Sequence, residues 1–486
     1  MPGFTPGRRY QPPFMPFKRP PLKKRAFAAI ELAVKGPLFG CRMCGNCLLQ
    51  ETALICPMEC PKGLRNGPCG GSTPEKCYVD ESRPCIWYKI YERSFQLGRE
   101  ALLLEVLPPM DWEQAGMDAW SGVFEQARKI GVRNLVTHLS SGEPGAVAKT
   151  LDSVFRPVRQ PAWWQGDSKY HAPAYSEPVS ELERRLKAGE FVITAEIAPP
   201  LTVKTDKLKY NIATLKNYVA ALNFTDNASA VPRMSSVACS KIAIEEGAEP
   251  VMQLSARDKT RVGLQSEVIG AAALGIRNML CLTGDSMALT PGPKGRMDIV
   301  DIDSIQMLWI LRRMRDEGKY LDGREIKTPP QYFLGAAASP FASNMKFQAL
   351  REQKKVNAGA QFFQTNVVFD ANDLDLWLSE LAKRNVLEKV HILIGISPLK
   401  SYRMAKFMND KVPGIFVPER IMQRMEAAEQ KGNAEEEGVQ ITLELIEKLR
   451  NKPGVNGLHI MAVGWEEIVP RIIEEAGIAK PSKVAA

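Results

Sequence analysis

The chain has 486 residues, 45% of them hydrophobic, so it has apolar material for a large core and is too long for one ordinary domain. No apolar run approaches the roughly 20 residues of a membrane span, and the N-terminus lacks the apolar stretch of a signal peptide, so we expect a cytoplasmic protein without a membrane partner. The net charge of +9 lies mostly in residues 1–25, which hold seven basic residues and no acid. The remainder is close to neutral, which excludes a broadly basic nucleic-acid-binding body.

The first predicted segment, residues 1–30, is a basic and proline-rich arm. Its composition is typical of a disordered segment or of a strap that docks elsewhere. Because clustered charge raises encounter rates, the arm could also steer an acidic electron carrier such as a ferredoxin toward the protein.

Residues 31–180 are predicted to form a cysteine-rich metal-binding domain with a connecting segment. The proposed ligands follow one another at short, turn-compatible spacings: Cys41, Cys44, Cys47, Cys56, Cys60, Cys69, Cys77 and Cys85. Because a signal peptide is missing, thiolate ligands are the better interpretation than disulfides. The C-x2-C-x2-C opening and the later cysteine–proline pairs favour 4Fe-4S clusters over zinc, although four thiolates hold either. One cluster, two clusters, a cluster with a structural zinc, and zinc alone all stay open.

From about residue 190, eight apolar runs alternate with amphipathic segments, which is the pattern of repeated βα units. The runs are FVITAEIA from 191, ALNFTD from 221, EPVMQLSAR from 249, NMLCLTGD from 278, QYFLGAAAS from 331, FFQTNVVFD from 362, HILIGISP from 391 and GLHIMAVG from 457. Their number and order predict an α/β fold, a (β/α)8 TIM barrel over residues 181–486, with an additional helix between the last two strands. An open doubly wound sheet is the alternative.

A TIM barrel carries its catalytic groups at the carboxyl ends of its strands. Polar side chains occupy these late-strand positions: Glu196, Asp226, Arg257, Asp285, Asn366 and Asp370. Cys239 and Cys281, which lie in apolar surroundings far from the other cysteines, are interpreted as small core residues.

The segments FVITAEIAPP, NFTDNAS, EPVMQLSARDKTRVGLQSEVIGAAALGIRNMLCLTGD, REQKKVNAGA and FFQTNVVFD together resemble methylenetetrahydrofolate reductase, over residues 183 to the C-terminus. The cysteine-rich segment, with CGNC, CPMECPKGLRNGPCGG and a later C-x7-C, is similar to the cysteine-rich partner of that reductase in anaerobic one-carbon metabolism. Here both occur in one chain, which implies electron delivery within it.

The resemblance implies a flavin enzyme, with FAD or alternatively FMN, that reduces 5,10-methylenetetrahydrofolate to 5-methyltetrahydrofolate. Glu196 would be the general acid that opens the five-membered ring of the substrate, since a sheltered carboxyl can keep its proton near neutral pH. Asp285 would lie between pterin and flavin, where it contacts the pterin and biases the charge of the flavin ring.

Further positions follow from the same resemblance. The flavin would be lined by Thr225, Asp226, Gln253, Leu254, Thr283, Gly284 and Asp285, with Lys354 and Lys355 against its phosphate. Neighbouring residues on a helix point in different directions, so we expect one of the two lysines to face solvent. Gln364 and Asn366 would contact the substrate, with Asn366 in place of the usual glutamine.

Three departures concern the nicotinamide site of the enzymes that use NADH. Gln253 and Ser339 stand where those enzymes have histidines, and Gly335 replaces an aromatic residue. With the cysteines, these changes predict electrons that arrive through metal centres from ferredoxin or another electron-transfer protein. The pterin can be tetrahydrofolate or tetrahydromethanopterin, and a homo-oligomer is possible.

Two other functions remain open. One is a folate- or corrinoid-dependent methyltransferase with a structural zinc domain, whose catalytic zinc ligands would lie at the barrel mouth; no cysteine cluster is expected there. The other is a non-enzymatic interaction protein built on a zinc module, which salt-dependent nucleic-acid binding would indicate.

Overall fold

The structure is a computed structural model that describes residues 15–16, 21–140, 146–285, 300–341, 344–412 and 414–479. Its centre is a closed barrel of eight parallel strands in sequence order. The strands are β1 (Val192–Ile197), β2 (Ala221–Phe224), β3 (Pro250–Ser255), β4 (Asn278–Leu282), β5 (Phe333–Ala338), β6 (Phe362–Val367), β7 (His391–Ile396) and β8 (Gly457–Ile460). Each strand falls within one of the eight predicted runs, so the TIM-barrel prediction is confirmed and the open-sheet alternative is wrong.

Helices surround the barrel, and one precedes it: α6 (Glu181–Lys187). The others follow the strands: α7 (Asp206–Leu215), α8 (Ser236–Glu245), α9 (Arg261–Ala273), α10 (Ser304–Asp316), α11 (Met345–Asn357), α12 (Leu374–Lys383), α13 (Tyr402–Lys411), α14 (Glu419–Gln430), α15 (Ala434–Arg450) and α16 (Val469–Glu475). Three helices, α13 to α15, connect β7 to β8, one more than predicted.

The barrel interior changes from apolar to polar along its axis. Its lower part is filled by large side chains, and the rings of Phe333 and Phe362 stack there at 4.8 Å between centroids. Higher up, Gln364 hydrogen-bonds Asn223 and the hydroxyl of Thr194. This buried polar layer forms the floor beneath the carboxyl ends of the strands.

The described residues of the N-terminal region form five α-helices: α1 (Leu22–Phe39), α2 (Ile86–Gln96), α3 (Trp120–Ile130), α4 (Val132–Leu139) and α5 (Ala146–Arg159). Between α1 and α2, where all eight clustered cysteines lie, the only helix among the described residues is a single 3-10 turn, Pro57–Glu59. Turns rather than regular elements therefore position the cysteines.

The cysteine-rich domain packs onto the barrel through an aromatic cluster. Phe347 of α11 contacts Tyr91 and Phe95 of α2, with ring centroids 5.6 and 5.0 Å apart. Leu350, one turn further along α11, is buried in the same cluster. This packing fixes the cysteines over the barrel.

Among the described residues, no helix combines the length and the apolar character that a membrane crossing requires.

Candidate active site between the barrel mouth and the cysteine-rich domain

A cavity of about 340 Å³ lies at the carboxyl ends of the strands, and the cysteine-rich domain forms one of its walls. Predicted residues that line it from the barrel are Glu196, Thr225, Asp226, Gln253, Thr283, Gly284, Asp285, Lys355 and Asn366. Cys69, Gly70, Gly71 and Tyr78 line it from the N-terminal side. Residues that are more than 200 positions apart in sequence therefore share one site.

Three of the residues predicted to bind flavin or substrate do not line this cavity, and neither do the late-strand residues Arg257 and Asp370. Leu254 is fully buried in the hydrophobic core around the barrel. Gln364 points into the polar layer beneath the cavity, where Asn223 and Thr194 occupy its amide. Lys354 is buried as well, on the side of α11 away from the cavity lining. None of these three side chains therefore faces the space where flavin and substrate are expected to bind.

Glu196, near the end of β1, presents its carboxyl group to the cavity. Its Oε2 accepts a hydrogen bond from Gln253 Nε2 at 3.1 Å and lies 3.7 Å from His459 Nε2. The other ring nitrogen of His459 is 3.0 Å from the Thr194 hydroxyl. Barrel side chains thus orient the carboxyl, while its 18% exposure leaves it accessible from the cavity. A carboxyl in this setting can deliver a proton to a bound molecule.

Asp285 follows β4 through Gly284, whose φ of +82° is unfavourable for residues with a Cβ. A Cβ at Gly284 would lie 2.0 Å from Ser255 Oγ, so only glycine fits this approach. The Asp285 carboxylate accepts hydrogen bonds from the Ser229 amide at 2.6 Å and from the Tyr78 hydroxyl at 3.1 Å. One carboxylate is therefore held by the barrel and by the cysteine-rich domain together.

Asp226, at the end of β2, is occupied by barrel residues. Its carboxylate accepts a hydrogen bond from the Ser255 amide at 2.8 Å and forms an ion pair with Lys259 at 3.1 Å. The predicted cofactor contact of Asp226 would compete with these partners.

Lys355 and Arg351 make one end of the cavity basic. They are four residues apart on α11, so their side chains share a helix face. Burial and the nearby Arg351 guanidinium lower the pKa of Lys355 to about 7, and burial lowers the pKa of Lys354 to the same value. Both lysines are buried, so the prediction that one faces solvent is wrong, because α11 is covered on both sides.

Three buried polar atoms in the cavity lining have no hydrogen-bond partner among the described residues: Thr225 Oγ1, Ser255 Oγ and Arg351 Nε. Unpaired buried polar atoms are costly, and a bound ligand is one way to satisfy them. Two hydroxyls and a cationic end suit a ligand with hydroxyl or carbonyl groups and a phosphate, which is the chemistry of a flavin nucleotide.

Of the two small residues noted in the sequence, Ser339 lies where the two domains approach closely and Gly335 lies inside the barrel. Asn366 donates a hydrogen bond to Ser339 Oγ at 3.3 Å. A Cβ at Gly70 would lie 3.1 Å from the same oxygen, so the cysteine-rich domain leaves little room for a larger residue than serine. At position 335, an added Cβ would lie 2.3 Å from the Phe362 ring, which occupies the space of an aromatic side chain.

The clustered cysteines divide into two groups. Cys41, Cys44, Cys47 and Cys56 line one small cavity beside α1 and form the outer group. Burial raises the pKa of the Cys41 thiol to about 11, and the neighbouring thiols Cys44 and Cys47 contribute. Three members of this group are only partly buried.

Cys60, Cys69, Cys77 and Cys85 form the inner group, and all four are buried. Burial raises the pKa of Cys60 to about 12, and Cys69 and Cys85 add to that effect. Ser72 links the remaining member to the group, because it contacts the Cys85 thiol and accepts a hydrogen bond from the Tyr78 amide next to Cys77. Cys69 also lines the main cavity, and it is the one member of the two groups that does so among the described residues.

The donor chemistry of both groups fits a thiolate-bound metal centre. All ten cysteines are free thiols. Within the described ranges, no three histidine, cysteine, aspartate or glutamate side chains come together closely enough to hold a metal ion. Buried thiols with raised pKa values stay protonated, and a bound metal would supply the positive charge that stabilises thiolates there.

Sequence reasoning missed Arg351, Tyr78 and His459. The i, i+4 spacing of Arg351 and Lys355 was a usable signal for the first. His459 near the end of β8 could have been found from the barrel register, which places it beside Thr194 of β1. No local pattern indicated Tyr78, because its contact with Asp285 spans 207 positions.

Several solved structures are similar to this chain. An uncharacterised protein from Clostridium thermocellum, described as binding two copies of 5-methyl-5,6,7,8-tetrahydrofolic acid, has 18% identity and a TM-score of 0.45, covering 62% of this chain and 100% of its own. A 2,3-dimethylmalate lyase has 9% identity and a TM-score of 0.32, with 61% and 84% covered. Tryptophan synthase from M. tuberculosis has 10% identity and a TM-score of 0.28, with 53% and 98% covered.

A comparison with curated proteins returned no match. Two family profiles match the sequence. Residues 181–477 match methylenetetrahydrofolate reductase, and residues 21–113 match the family described as methylene-tetrahydrofolate reductase C terminal. The first match covers the whole barrel, and the second contains all eight clustered cysteines.

Proposed function

Since this chain belongs to the methylenetetrahydrofolate reductase family, we propose that it reduces 5,10-methylenetetrahydrofolate to 5-methyltetrahydrofolate with a flavin in the barrel-mouth cavity. The observation that carries the proposal is the shared cavity, where Glu196 and Asp285 face the same space as Cys69. An acid, a carboxylate suited to a pterin and a potential metal ligand thus meet in one site.

Glu196 is the proposed proton donor. Opening the five-membered ring of the substrate to an iminium requires a proton on a weakly basic ring nitrogen. Gln253 orients the carboxyl by its hydrogen bond, and the buried His459, which does not line the cavity, lies 3.7 Å from it. Asn366, which lines the same cavity, offers an amide donor and acceptor to the pterin. Tetrahydrofolate is the proposed pterin, and tetrahydromethanopterin offers the same reacting groups.

The proposed cofactor is FAD, with FMN as the alternative. When bound, the flavin would supply the hydride that reduces the iminium carbon. Thr225 and Ser255 would bind its polar groups through their unpaired hydroxyls, and Arg351 and Lys355 would hold its phosphate. The cavity lining therefore contains polar and cationic groups of the kind that a flavin nucleotide requires.

We further propose that the two cysteine groups hold iron–sulfur centres, each of the 4Fe-4S type. The outer group is partly exposed, whereas the inner group is buried and reaches the cavity through Cys69. This order gives electrons a route from the surface to the flavin site. The donor would be ferredoxin or another acidic electron-transfer protein, attracted by the exposed Lys23, Lys24 and Arg25 of α1.

A folate-dependent methyltransferase with zinc is the second candidate, and one observation favours it. Cys69 lines the folate-type cavity, where a thiolate-bound zinc could activate a methyl acceptor. The reductase additionally assigns the unpaired hydroxyls and the basic end of the cavity to a flavin nucleotide, so it explains more of the site.

An anaerobic preparation of the full chain separates the two candidates. Flavin, iron and zinc are counted per chain, and the reduced protein is studied by EPR. The reductase with a cluster in each cysteine group predicts about one flavin and about eight irons per chain, with the EPR signal of reduced 4Fe-4S clusters. A colourless protein that contains only zinc would support the methyltransferase.

A further inference from the structure

Tyr78 belongs to the cysteine-rich domain but contacts a carboxylate of the barrel. It directly follows Cys77, and its backbone is held by the hydrogen bond from its amide to Ser72 Oγ at 3.2 Å. Its hydroxyl donates to Asp285 Oδ1 at 3.1 Å. A residue fixed beside a proposed metal ligand therefore reaches into the reacting end of the cavity.

A second residue of the same domain strengthens this connection. The buried Lys62 places its ammonium 5.2 Å from the centre of the Tyr78 ring and donates a hydrogen bond to the Gly284 carbonyl at 3.0 Å. Lys62 thus contacts both the Tyr78 ring and the backbone carbonyl of the residue before Asp285. The loop that ends β4 is attached to the cysteine-rich domain at two adjacent residues.

The two oxygens of the Asp285 carboxylate accept hydrogen bonds from different domains. Oδ2 accepts from the Ser229 amide of the barrel at 2.6 Å, whereas Oδ1 accepts from Tyr78. A hydroxyl-to-carboxylate hydrogen bond is stronger than one between neutral groups. Without it, only one oxygen of Asp285 would be fixed by a hydrogen bond of the described residues.

We propose that Tyr78 is a positioning residue that holds Asp285 in place, so that the cysteine-rich domain shapes the folate-reducing site in addition to carrying electrons. This inference rests on the proposed function, because Asp285 is the residue placed between pterin and flavin. It assigns the cysteine-rich domain a task in the half-reaction that needs no electron from outside.

The test uses the full chain, purified anaerobically with its flavin and metal, and the variants Tyr78→Phe, Asp285→Ala and the double variant. The flavin is reduced with dithionite, which bypasses the natural donor, and its reoxidation by 5,10-methylenetetrahydrofolate is followed by stopped-flow absorbance. Tyr78→Phe keeps the ring and its contact with Lys62, and removes only the hydroxyl. Tyr88→Phe is the matched control, a buried tyrosine of the same domain that is not part of the cavity lining.

We expect Tyr78→Phe to slow reoxidation about tenfold, the cost of one hydrogen bond to a charged group, and to slow it no further in the Asp285→Ala background, which has no side-chain acceptor for the hydroxyl. Hydrogen exchange at the Ser229 amide should become faster, with unchanged exchange in residues 41–77 and unchanged iron content. Equal slowing in both backgrounds, wild-type reoxidation or unchanged exchange at Ser229 would each overturn the proposal. If the wild-type flavin is not reoxidised at all, the proposed function fails instead.

Discussion

The barrel and the cysteine-rich domain obey different structural rules. In the barrel, side chains are placed by the regular repeat of strand and helix, so Glu196 and Asp285 line one cavity because both lie at the carboxyl ends of parallel strands. In the cysteine-rich domain, turns and contacts with the barrel place the cysteines, and the only helix among the described residues between α1 and α2 is one short turn. The regular barrel can therefore supply the proposed reacting groups, whereas the irregular cysteine-rich domain completes the wall around them.

The largest expected effect tests the barrel side of this comparison. Glu196→Gln should lower folate turnover by about 10²–10⁴-fold, because an amide cannot donate the required proton, while flavin and iron contents stay unchanged. Steady-state turnover with a reduced donor measures this effect, and Glu245→Gln, on the exposed side of α8, is the control. Turnover within threefold of the wild type would remove Glu196 from the mechanism.

The cysteine-rich side is tested by serine substitutions in each group. Cys56→Ser and Cys69→Ser should each cost about four irons per chain, since a 4Fe-4S cluster needs its four ligands. The buried Cys239 of α8 belongs to neither group, so Cys239→Ser should keep all iron. Iron analysis with EPR measures the loss. If Cys56→Ser and Cys69→Ser remove the same cluster, the division into an outer and an inner group is wrong.

The basic end of the cavity gives an effect of intermediate size. Lys355→Met should weaken flavin binding about 10- to 100-fold, the cost of a hydrogen bond between charged groups. Lys355 has a pKa of about 7 and is charged below that pH. Affinity for the flavin phosphate should therefore fall as the pH rises from 7 to 9, by at most about tenfold per pH unit for one proton.

Lys354→Met is the matched control for this measurement, because Lys354 has the same lowered pKa but lies outside the cavity lining. Flavin titrations at pH 6, 7, 8 and 9 should show the pH dependence in the wild type and in Lys354→Met, and a flat profile in Lys355→Met. Equal weakening by both substitutions would show that burial on α11, rather than the cavity, explains the effect.

The smallest expected effect concerns packing in the barrel alone. Gly335→Ala should destabilise the protein by ~1–3 kcal/mol, because the added methyl group would collide with the Phe362 ring. Gly270→Ala on the exposed side of α9 adds a methyl group to open space and should be neutral or slightly stabilising. Denaturant unfolding measures both, and a neutral Gly335→Ala would show that Phe362 can move aside.

The sequence predicted the barrel well because hydrophobic periodicity is a local property. All eight strands lie within the predicted runs, and nine predicted barrel residues line one cavity. The predictions for Leu254 and Lys354 missed the cavity for a related reason: each is next in sequence to a residue that lines it, Gln253 and Lys355. Neighbouring residues on a strand or helix point to different sides, so a motif alone does not decide which one faces the ligand.

The contacts between the domains could not be predicted. Tyr78 and Asp285, Lys62 and Gly284, and Asn66 and Asp303 meet across more than 200 positions. Each pair depends on how an irregular loop settles on the barrel, and neither periodicity nor spacing carries that information. The grouping of the cysteines was open for the same reason, since short spacings allow several combinations.

Electrons are proposed to reach the flavin through the cysteine-rich domain. Anaerobic stopped-flow mixing of oxidised protein with a reduced ferredoxin tests it directly, with flavin bleaching followed in the wild type, Cys69→Ser and Cys239→Ser. We expect reduced ferredoxin to bleach the flavin rapidly in the wild type and in Cys239→Ser but not in Cys69→Ser. Dithionite should still reduce the flavin of all three proteins. Bleaching of Cys69→Ser by ferredoxin at the wild-type rate would contradict the account.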